Sequence, residues 1–221
     1  GGKLNLLKKD GFSFDLGPSI FTFPYIFEDL FKRAGKDMKD YMQIIEPDIY
    51  WRCFFEDGAK IDILKDLKET LNANELLDED DIKDFKRFLK YSKKLYENVS
   101  DGYFNEGVDD LMEAIRFYGI NKSLFGLDAF STVHRSVNKY IKNDHFLHII
   151  DFFIKYVGSS PYNAPAVLNM MVYGQSKFGL WYVKGGMFEL SNALQRLARD
   201  IGIEIYTNSE IKSLKNDDVS I

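Results

Sequence analysis

The sequence has a single cysteine, Cys53, and three histidines among its 221 residues. One cysteine cannot form an internal disulfide, so the chain is compatible with a reducing compartment. No stretch approaches the ~18 consecutive apolar residues that a membrane-spanning helix needs. No long apolar segment typical of a signal peptide precedes the charged residues Lys8 to Asp10. We therefore expect a cytoplasmic location.

An excess of positive charge is missing as well. The net charge is −5, and acidic and basic residues alternate along the chain. A protein that binds nucleic-acid phosphates is expected to carry a basic field, so the composition argues against a nucleic-acid partner. Apolar residues are abundant, because 45% of the residues are hydrophobic and 15% are aromatic. This composition is sufficient for a sizeable buried core.

Motifs for metal binding and nucleophilic catalysis are also lacking. His145 and His148 lie three residues apart on a predicted helix, but no third ligand with suitable spacing accompanies them. His134 has no evident partner in the sequence. The chain contains no nucleophile elbow, no Walker loop and no CxxC pair. We therefore predict no metal site, and the sequence identifies no catalytic residue.

The periodicity of apolar residues predicts a mainly helical chain with a few short strands. Loose alternation over residues 4–16 predicts a hairpin, and the segments 49–55 and 60–64 predict a second one. An acidic cluster at residues 78–81 precedes a long amphipathic helix predicted at 82–99. Further helices are predicted after Pro24 and at residues 108–117, 130–140, 146–157, 164–173 and 188–198, and further strands at residues 203–206 and 211–214.

Two glycine-containing segments lie at opposite ends of the chain. The first begins with Gly1-Gly2-Lys3 and continues through Leu7–Asp15 to Gly17-Pro18, and the second is Lys184–Met187. In this order and spacing they resemble the FAD-dependent amine oxidase and phytoene desaturase superfamily. Within it, the chain most resembles bacterial carotenoid desaturases that act on C30 precursors, the dehydrosqualene (4,4'-diapophytoene) desaturases.

The resemblance implies an α+β fold that forms part of a two-domain FAD-dependent oxidoreductase. Residues 1–20 and 179–221 are expected to form part of an interrupted, Rossmann-like FAD-binding domain. Residues 21–178 are expected to form a mostly helical substrate-binding insert with a small antiparallel sheet near residues 49–64. The glycine fingerprint that such a domain needs for FAD is absent from these residues. We therefore expect an internal fragment that binds FAD weakly and is inactive alone.

The resemblance also implies which residues contact the cofactor. The first glycine turn would approach the diphosphate through its backbone, where glycine permits close contact. The family usually has arginine where this chain has Lys3, and lysine keeps the charge without the two-pronged hydrogen bonding. The other residues would surround the flavin ring, except for an isoleucine whose backbone would pair with the adenine. The candidate cofactor-binding residues are Gly1, Gly2, Lys3, Asp15, Gly17, Pro18, Lys184, Gly185, Gly186, Met187 and Ile211.

The segment from Phe146 to Val157 is apolar on nearly all sides. It is consistent with a buried core helix, with the wall of a tunnel for a long hydrocarbon, or with a segment that touches a membrane. A polyene offers no polar group, so it must be bound by shape and by removal from water. The candidate tunnel residues are Phe146, Ile150, Phe153, Met170, Met171, Tyr173 and Trp181.

The activity that the resemblance implies is desaturation of a long apolar polyene, diapophytoene-like or phytoene-like, by hydride transfer to FAD. An oxygenase, isomerase or saturase on the same fold is an alternative, and a non-catalytic, membrane-associated helical module is another. Basic residues on the predicted 82–99 helix suit either a solvated face or an anionic membrane surface, which would make the protein peripherally membrane-associated. These residues are Lys86, Arg87, Lys90, Lys93 and Lys94.

Overall fold

The computed structural model describes residues 2–107, 111–120, 123 and 126–212. Within these residues the chain is mainly helical and carries small antiparallel sheets. The α+β class predicted from the sequence is therefore confirmed at this level. None of the helices in this part of the chain is long and apolar enough to cross a membrane.

The chain divides into two compact units. The first combines Gly1–Ser19, Tyr25–Ile44 and Val183–Ile221, and the second combines Ile20–Pro24 and Ile45–Tyr182. The first unit thus contains a segment near residues 25–44 that the sequence had assigned to the insert. The functions expected for the two predicted domains stay predictions.

An antiparallel hairpin opens the first unit. Strand β1 spans Leu6–Lys9 and strand β2 spans Phe12–Asp15, with Leu6 opposite Asp15. The connecting residues Asp10 and Gly11 have φ angles of 52° and 82°. Two consecutive positive φ angles are what a tight two-residue hairpin turn requires, and Asp-Gly is a preferred sequence for it. The predicted hairpin is confirmed.

Helix α1 spans Pro24–Arg33 and buries Phe31. Proline is well accepted at the first helical position, because its missing N–H would have no intrahelical partner there. Gly35 has a φ of 69° and follows the end of the helix, where a left-handed residue closes the last turn. A short 3₁₀ turn at Met38–Asp40 and strand β3 at Ile44–Ile45 follow.

The second hairpin lies in the second unit. Strand β4 spans Ile49–Phe54 and strand β5 spans Lys60–Leu64, which confirms the strands predicted there. The Arg52 guanidinium donates to both carboxylate oxygens of Asp62 across the hairpin, at 2.8 Å and 2.9 Å. This two-pronged geometry is the strongest arrangement of an arginine–carboxylate pair.

The Arg52–Asp62 pair predicts an acid-dependent contribution to stability. The hydrogen bond from Arg52 lowers the pKa of Asp62, so the stabilisation is complete above the unfolded-state value of about 3.9. It is lost as the pH falls through the lower pKa of the folded state. Urea unfolding of the wild type and of Asp62→Asn should therefore differ most near neutral pH and converge in acid. A constant difference at all pH values would contradict this.

Helix α2 spans Leu67–Ala73 and helix α3 spans Glu79–Ser100. The Asp78 side chain accepts from the first-turn amides of α3, and the Asp81 side chain accepts in return from the Asp78 amide. This capping box satisfies amides that a helix start otherwise leaves unpaired. The long helix predicted from the acidic cluster and the apolar spacing is confirmed. Its buried residues are Ile82, Phe85, Phe88, Ser92, Leu95, Tyr96 and Val99.

The remaining helices of the second unit differ from the predicted bounds, and residues 108–110 of the helix predicted at 108–117 lie outside the described residues. The segment predicted as one helix at 146–157 is an α-helix, α6, followed by a 3₁₀ helix. The tighter 3₁₀ turn places Phe152, Phe153 and Tyr156 around the Trp51 ring, with centroid separations of 6.0, 5.9 and 6.4 Å. The helices are α4 (Leu111–Tyr118), α5 (Val133–Val137), α6 (Asp144–Asp151) and α7 (Met170–Phe178), with 3₁₀ segments at Phe152–Val157 and Ala166–Asn169 and a π segment at Asp101–Glu106.

Strand β6 at Tyr182–Val183 leads into the last helix, α8, at Phe188–Asp200. Helix α8 buries Leu190, Ala193 and Leu197, which recur at a spacing of three and four residues. The predicted helix from Phe188 is therefore confirmed.

The strand predicted at residues 203–206 is wrong, because residues 203–212 contain no strand. A strand forms only where a neighbouring strand pairs with its backbone, and Ile203, Ile205 and Tyr206 are all exposed here. Ile211 is exposed as well, and the rest of the predicted strand at 211–214 lies mainly outside the described residues.

Candidate functional site

The Asp15 carboxylate joins the two glycine-containing segments in the first unit. Its Oδ2 accepts from the Met187 amide at 2.8 Å, and its Oδ1 accepts from the Phe188 amide at 3.1 Å. Helix α8 receives no cap from the side chain of Met187 itself. A carboxylate at a helix N-terminus is stabilised by the free amides and by the helix dipole. We call this pair of hydrogen bonds the Asp15 cap.

Gly186 makes the Asp15 cap sterically feasible. The residue is buried with a φ of 101°, and a Cβ atom at this position would lie 2.4 Å from Asp15 Oδ2. Its neighbour Gly185 also has a positive φ, 92°, but is exposed and would meet only the Glu189 side chain, at 3.2 Å. The two adjacent glycines therefore have different roles, since only Gly186 is required by a contact with the carboxylate.

Gly17 supports a second close approach. A Cβ atom on Gly17 would lie 1.9 Å from the Lys3 carbonyl oxygen. The backbone of residues 2–4 therefore rests directly on the turn that follows strand β2. Gly2 has a φ of 59° and open space on its Cβ side. Gly1 lies outside the described residues.

The structure thus divides the predicted cofactor residues into two groups. Asp15, Gly17 and Gly186 are explained by contacts within the protein. Gly2 and Gly185 are both exposed, with open space beside Gly2 and only the flexible Glu189 side chain beside Gly185, and the side chains of the neighbouring Lys3 and Lys184 are exposed as well. Open glycine backbone with neighbouring lysines fits an anionic group such as a diphosphate. Pro18 and Ile211 are exposed, and Met187 is buried with its amide bound to Asp15.

The predicted tunnel residues fall into two packed clusters of the second unit. Phe146 and Ile150 are buried in one cluster, and Phe153 packs against it. Met170 belongs to the other cluster, and Met171 and Tyr173 pack against that one. The Trp181 indole N–H donates to the Phe178 carbonyl at 2.8 Å. A role for these residues in holding a polyene stays a prediction.

The structure gives His134 a partner that the sequence did not indicate. His134 Nδ1 lies 2.6 Å from Asp151 Oδ2, and Asp151 is buried. Burial raises the pKa of Asp151, although the hydrogen bond with His134 acts in the opposite direction. The structure thus supplies the partner for His134 that was not evident in the sequence. The two residues are 17 positions apart on different helices, so no local spacing could have revealed the pair.

The other histidines do not assemble into a larger cluster. His145 Nε2 lies 2.8 Å from Asp57 Oδ2, in an exposed contact. Among the residues that the structure describes, no group of three or more histidine, cysteine, aspartate or glutamate side chains could hold a metal ion.

The basic face of α3 is exposed, as a solvated or membrane-facing surface requires. Two of its five basic residues have acidic neighbours on the same helix. Arg87 pairs with Asp84, and Lys93 Nζ lies 3.5 Å from Glu97 Oε1. These pairs reduce the net positive charge that the face presents. Contact with a membrane stays a prediction.

The chain is similar in sequence to curated oxygenases over almost its entire length. It is 45% identical over 218 residues to a 4,4'-diapolycopene oxygenase of Methylomonas sp, and the aligned stretch is 99% of this chain and 44% of that protein. It is 46% identical over 214 residues to a 4,4'-diaponeurosporene oxygenase of Staphylococcus haemolyticus, which covers 97% of this chain and 43% of that protein. Over this stretch the chain is similar in sequence to diapocarotenoid oxygenases. It spans less than half the length of these relatives.

A solved structure shows the fold. The chain matches a putrescine oxidase with a TM-score of 0.53 and 13% sequence identity, over 91% of this chain and 41% of that one. None of the protein-family models matches the chain. The likeness supports the predicted fold at this level, whereas the two-domain arrangement and the assignment to a desaturase stay predictions.

Proposed function

We propose that the protein is a FAD-dependent oxidoreductase that oxidises a C30 carotenoid. The observation that carries the proposal is the identity of 44–46% with 4,4'-diaponeurosporene and 4,4'-diapolycopene oxygenases along nearly the whole chain. The oxidase fold and the glycine turns at Gly2 and Gly185 support FAD as the cofactor.

The residues of this chain would bind and orient the reactants. When bound, FAD would accept a hydride equivalent, and the protein would supply alignment and exclusion of water. The exposed backbone of Gly2 and Gly185 would lie against the diphosphate, with Lys3 and Lys184 contributing positive charge. The apolar clusters of the second unit would hold the polyene by shape and desolvation. The residues proposed to line its path are Phe146, Ile150, Phe153, Met170, Met171, Tyr173 and Trp181.

Oxygenation of a terminal carbon is the first candidate reaction, because the relatives are named as oxygenases of 4,4'-diapolycopene and 4,4'-diaponeurosporene. Desaturation of a diapophytoene-like precursor is the second candidate, and the motif resemblance to dehydrosqualene desaturases supports it. Both reactions would use the same cofactor segments and the same class of apolar C30 substrate, so they would be distinguished by the substrate accepted and the product formed.

Product analysis separates the two reactions. The full-length protein, loaded with FAD, would be incubated separately with 4,4'-diapophytoene, 4,4'-diaponeurosporene and 4,4'-diapolycopene, and the products identified by chromatography and mass spectrometry. In air-saturated buffer, with dioxygen as the oxygen source, we expect oxygen-containing products from the latter two substrates. Loss of hydrogen from 4,4'-diapophytoene without oxygen incorporation would favour desaturation instead. A protein that binds no flavin and converts none of the three would refute the proposal.

We also propose peripheral membrane contact through the basic face of α3, since a carotenoid substrate resides in lipid. Co-sedimentation with anionic vesicles should exceed that with zwitterionic vesicles and should fall with added salt. Replacing Lys90 and Lys94 by glutamine should weaken binding, whereas replacing the paired Lys93 should have less effect. Vesicle binding in a protein that never binds flavin would favour the non-catalytic helical module.

A further inference from the structure

We propose that Asp15 is a positioning residue that holds the turn Lys184–Met187 in the shape needed to receive the cofactor. In this arrangement the N-terminus of α8 is bound by the protein's own carboxylate and does not serve as the phosphate site. The inference rests on the proposed function in one respect, which is that the ligand of the turn is FAD.

The first argument is that Asp15 occupies the free amides at the start of α8. The first amides of a helix have no intrahelical acceptor and attract anions. The amides of Met187 and Phe188 both donate to Asp15. The acidic residue of the helix's own first turn, Glu189, instead accepts from Asn192 at 2.7 Å. A cofactor phosphate at this end of α8 would therefore have to displace a carboxylate that the hairpin holds in place.

The second argument is that the two glycines, Gly185 and Gly186, are in different environments. Because Gly186 has no Cβ, the Asp15 carboxylate can reach the amides beyond it. The same bend leaves Gly185 exposed to solvent, with only the flexible Glu189 side chain close to it. The Asp15 cap thus fixes which of the two glycines faces inward and which remains open to a ligand.

The third argument is that Asp15 connects the hairpin to the turn Lys184–Met187. Asp15 is the last residue of β2 and pairs with Leu6 of β1. The Leu16 amide donates to the Asn5 carbonyl at 2.8 Å, and Gly17 rests on the Lys3 carbonyl. The hairpin that presents Gly2 and Lys3 is therefore tied through Asp15 to the turn at Lys184–Met187. Loss of the carboxylate should uncouple both segments.

The test compares Asp15→Ala and Asp15→Asn with Asp10→Asn in the full-length protein. Asp10 lies in the same hairpin, is exposed and has a positive φ that asparagine tolerates. Its substitution therefore removes one negative charge from the hairpin and leaves the Asp15 cap intact. FAD affinity would be measured by flavin fluorescence, and amide exchange in a peptide covering residues 184–190 by mass spectrometry. We expect Asp15→Ala to weaken FAD binding roughly tenfold, as expected for loss of a hydrogen bond to a charged group, and to accelerate exchange. Asp15→Asn should have a smaller effect on both, and Asp10→Asn should have none.

Each contrary result has a distinct meaning. Unchanged exchange in Asp15→Ala would overturn the cap, and faster exchange with unchanged FAD affinity would overturn its positioning role. If the alanine variant fails to fold, the near-isosteric Asp15→Asn decides by the same two readouts. If the wild type itself binds no FAD, the proposed function fails together with the positioning role, and the exchange measurement then tests only the cap.

Discussion

Replacing Asn74 by aspartate should destabilise the second unit by about 3 kcal/mol or more, since each buried polar group left unsatisfied costs about 1–3 kcal/mol. Asn74 is buried beside the β5 strand. Its Nδ2 donates to the Asp62 carbonyl at 2.7 Å and to the Thr70 carbonyl at 2.6 Å, and its Oδ1 accepts from the Asp62 amide at 2.8 Å. An ionised aspartate has no hydrogen to donate, so two carbonyl oxygens would face a buried negative charge.

Urea unfolding of Asn74→Asp at neutral pH provides the measurement. The matched control is Asn72→Asp, which introduces the same charge at an exposed position of helix α2. Both substitutions place a negative charge near the helix C-terminus, which costs about 0.3–1 kcal/mol, so the difference between them isolates the buried hydrogen bonds. Equal destabilisation by the two variants would contradict the prediction. Lowering the pH should partly restore Asn74→Asp, because a protonated carboxyl can donate one hydrogen bond.

Replacing Gly186 by alanine should also be strongly destabilising. A side chain at a positive φ is strained by about 1–3 kcal/mol, and the added Cβ would displace the Asp15 carboxylate. Loss of a helix cap costs a further amount of about 0.5–2 kcal/mol. The variant should therefore have a lower denaturant midpoint than Gly185→Ala, which adds backbone strain and keeps the Asp15 cap.

Gly185→Ala is the matched control for Gly186→Ala. Gly185 has a similar φ, but its added Cβ would meet only a flexible glutamate side chain. We expect Gly186→Ala to lower the free energy of unfolding more than Gly185→Ala does, and the difference should be about the 0.5–2 kcal/mol of the lost cap. In an Asp15→Ala background this excess should disappear, because the cap is already absent. An excess that persists without Asp15 would show that the clash involves another group.

The elements that the sequence predicted correctly carry their signals locally. The Asp-Gly turn specifies the first hairpin, and the acidic cluster followed by a regular apolar spacing specifies α3. The failures depend on distant parts of the chain. Residues 203–206 have the composition of a strand but no neighbouring strand in the described part of the chain, and the predicted helix at 146–157 changes to a 3₁₀ helix where its rings pack around Trp51.

The candidate site shows the same limit. The two glycine segments could be identified from residue order, and the resemblance predicted that they contact FAD. The sequence could not show that Asp15 binds the amides of Met187 and Phe188, because nothing near Asp15 indicates a partner 172 residues away. The pairing of His134 with Asp151 was missed for the same reason.

The Asp15 cap has a consequence for how this chain tolerates insertions. It fastens together two points with most of the polypeptide between them, including Ile45–Tyr182 of the second unit. The entropy lost on closing such a loop grows only logarithmically, by about 0.6 kcal/mol for each doubling of its length. The intervening segment can therefore lengthen, shorten or be exchanged during evolution at little cost to the closure itself. The two segments joined by the Asp15 cap and the segment between them can thus change in length independently of one another.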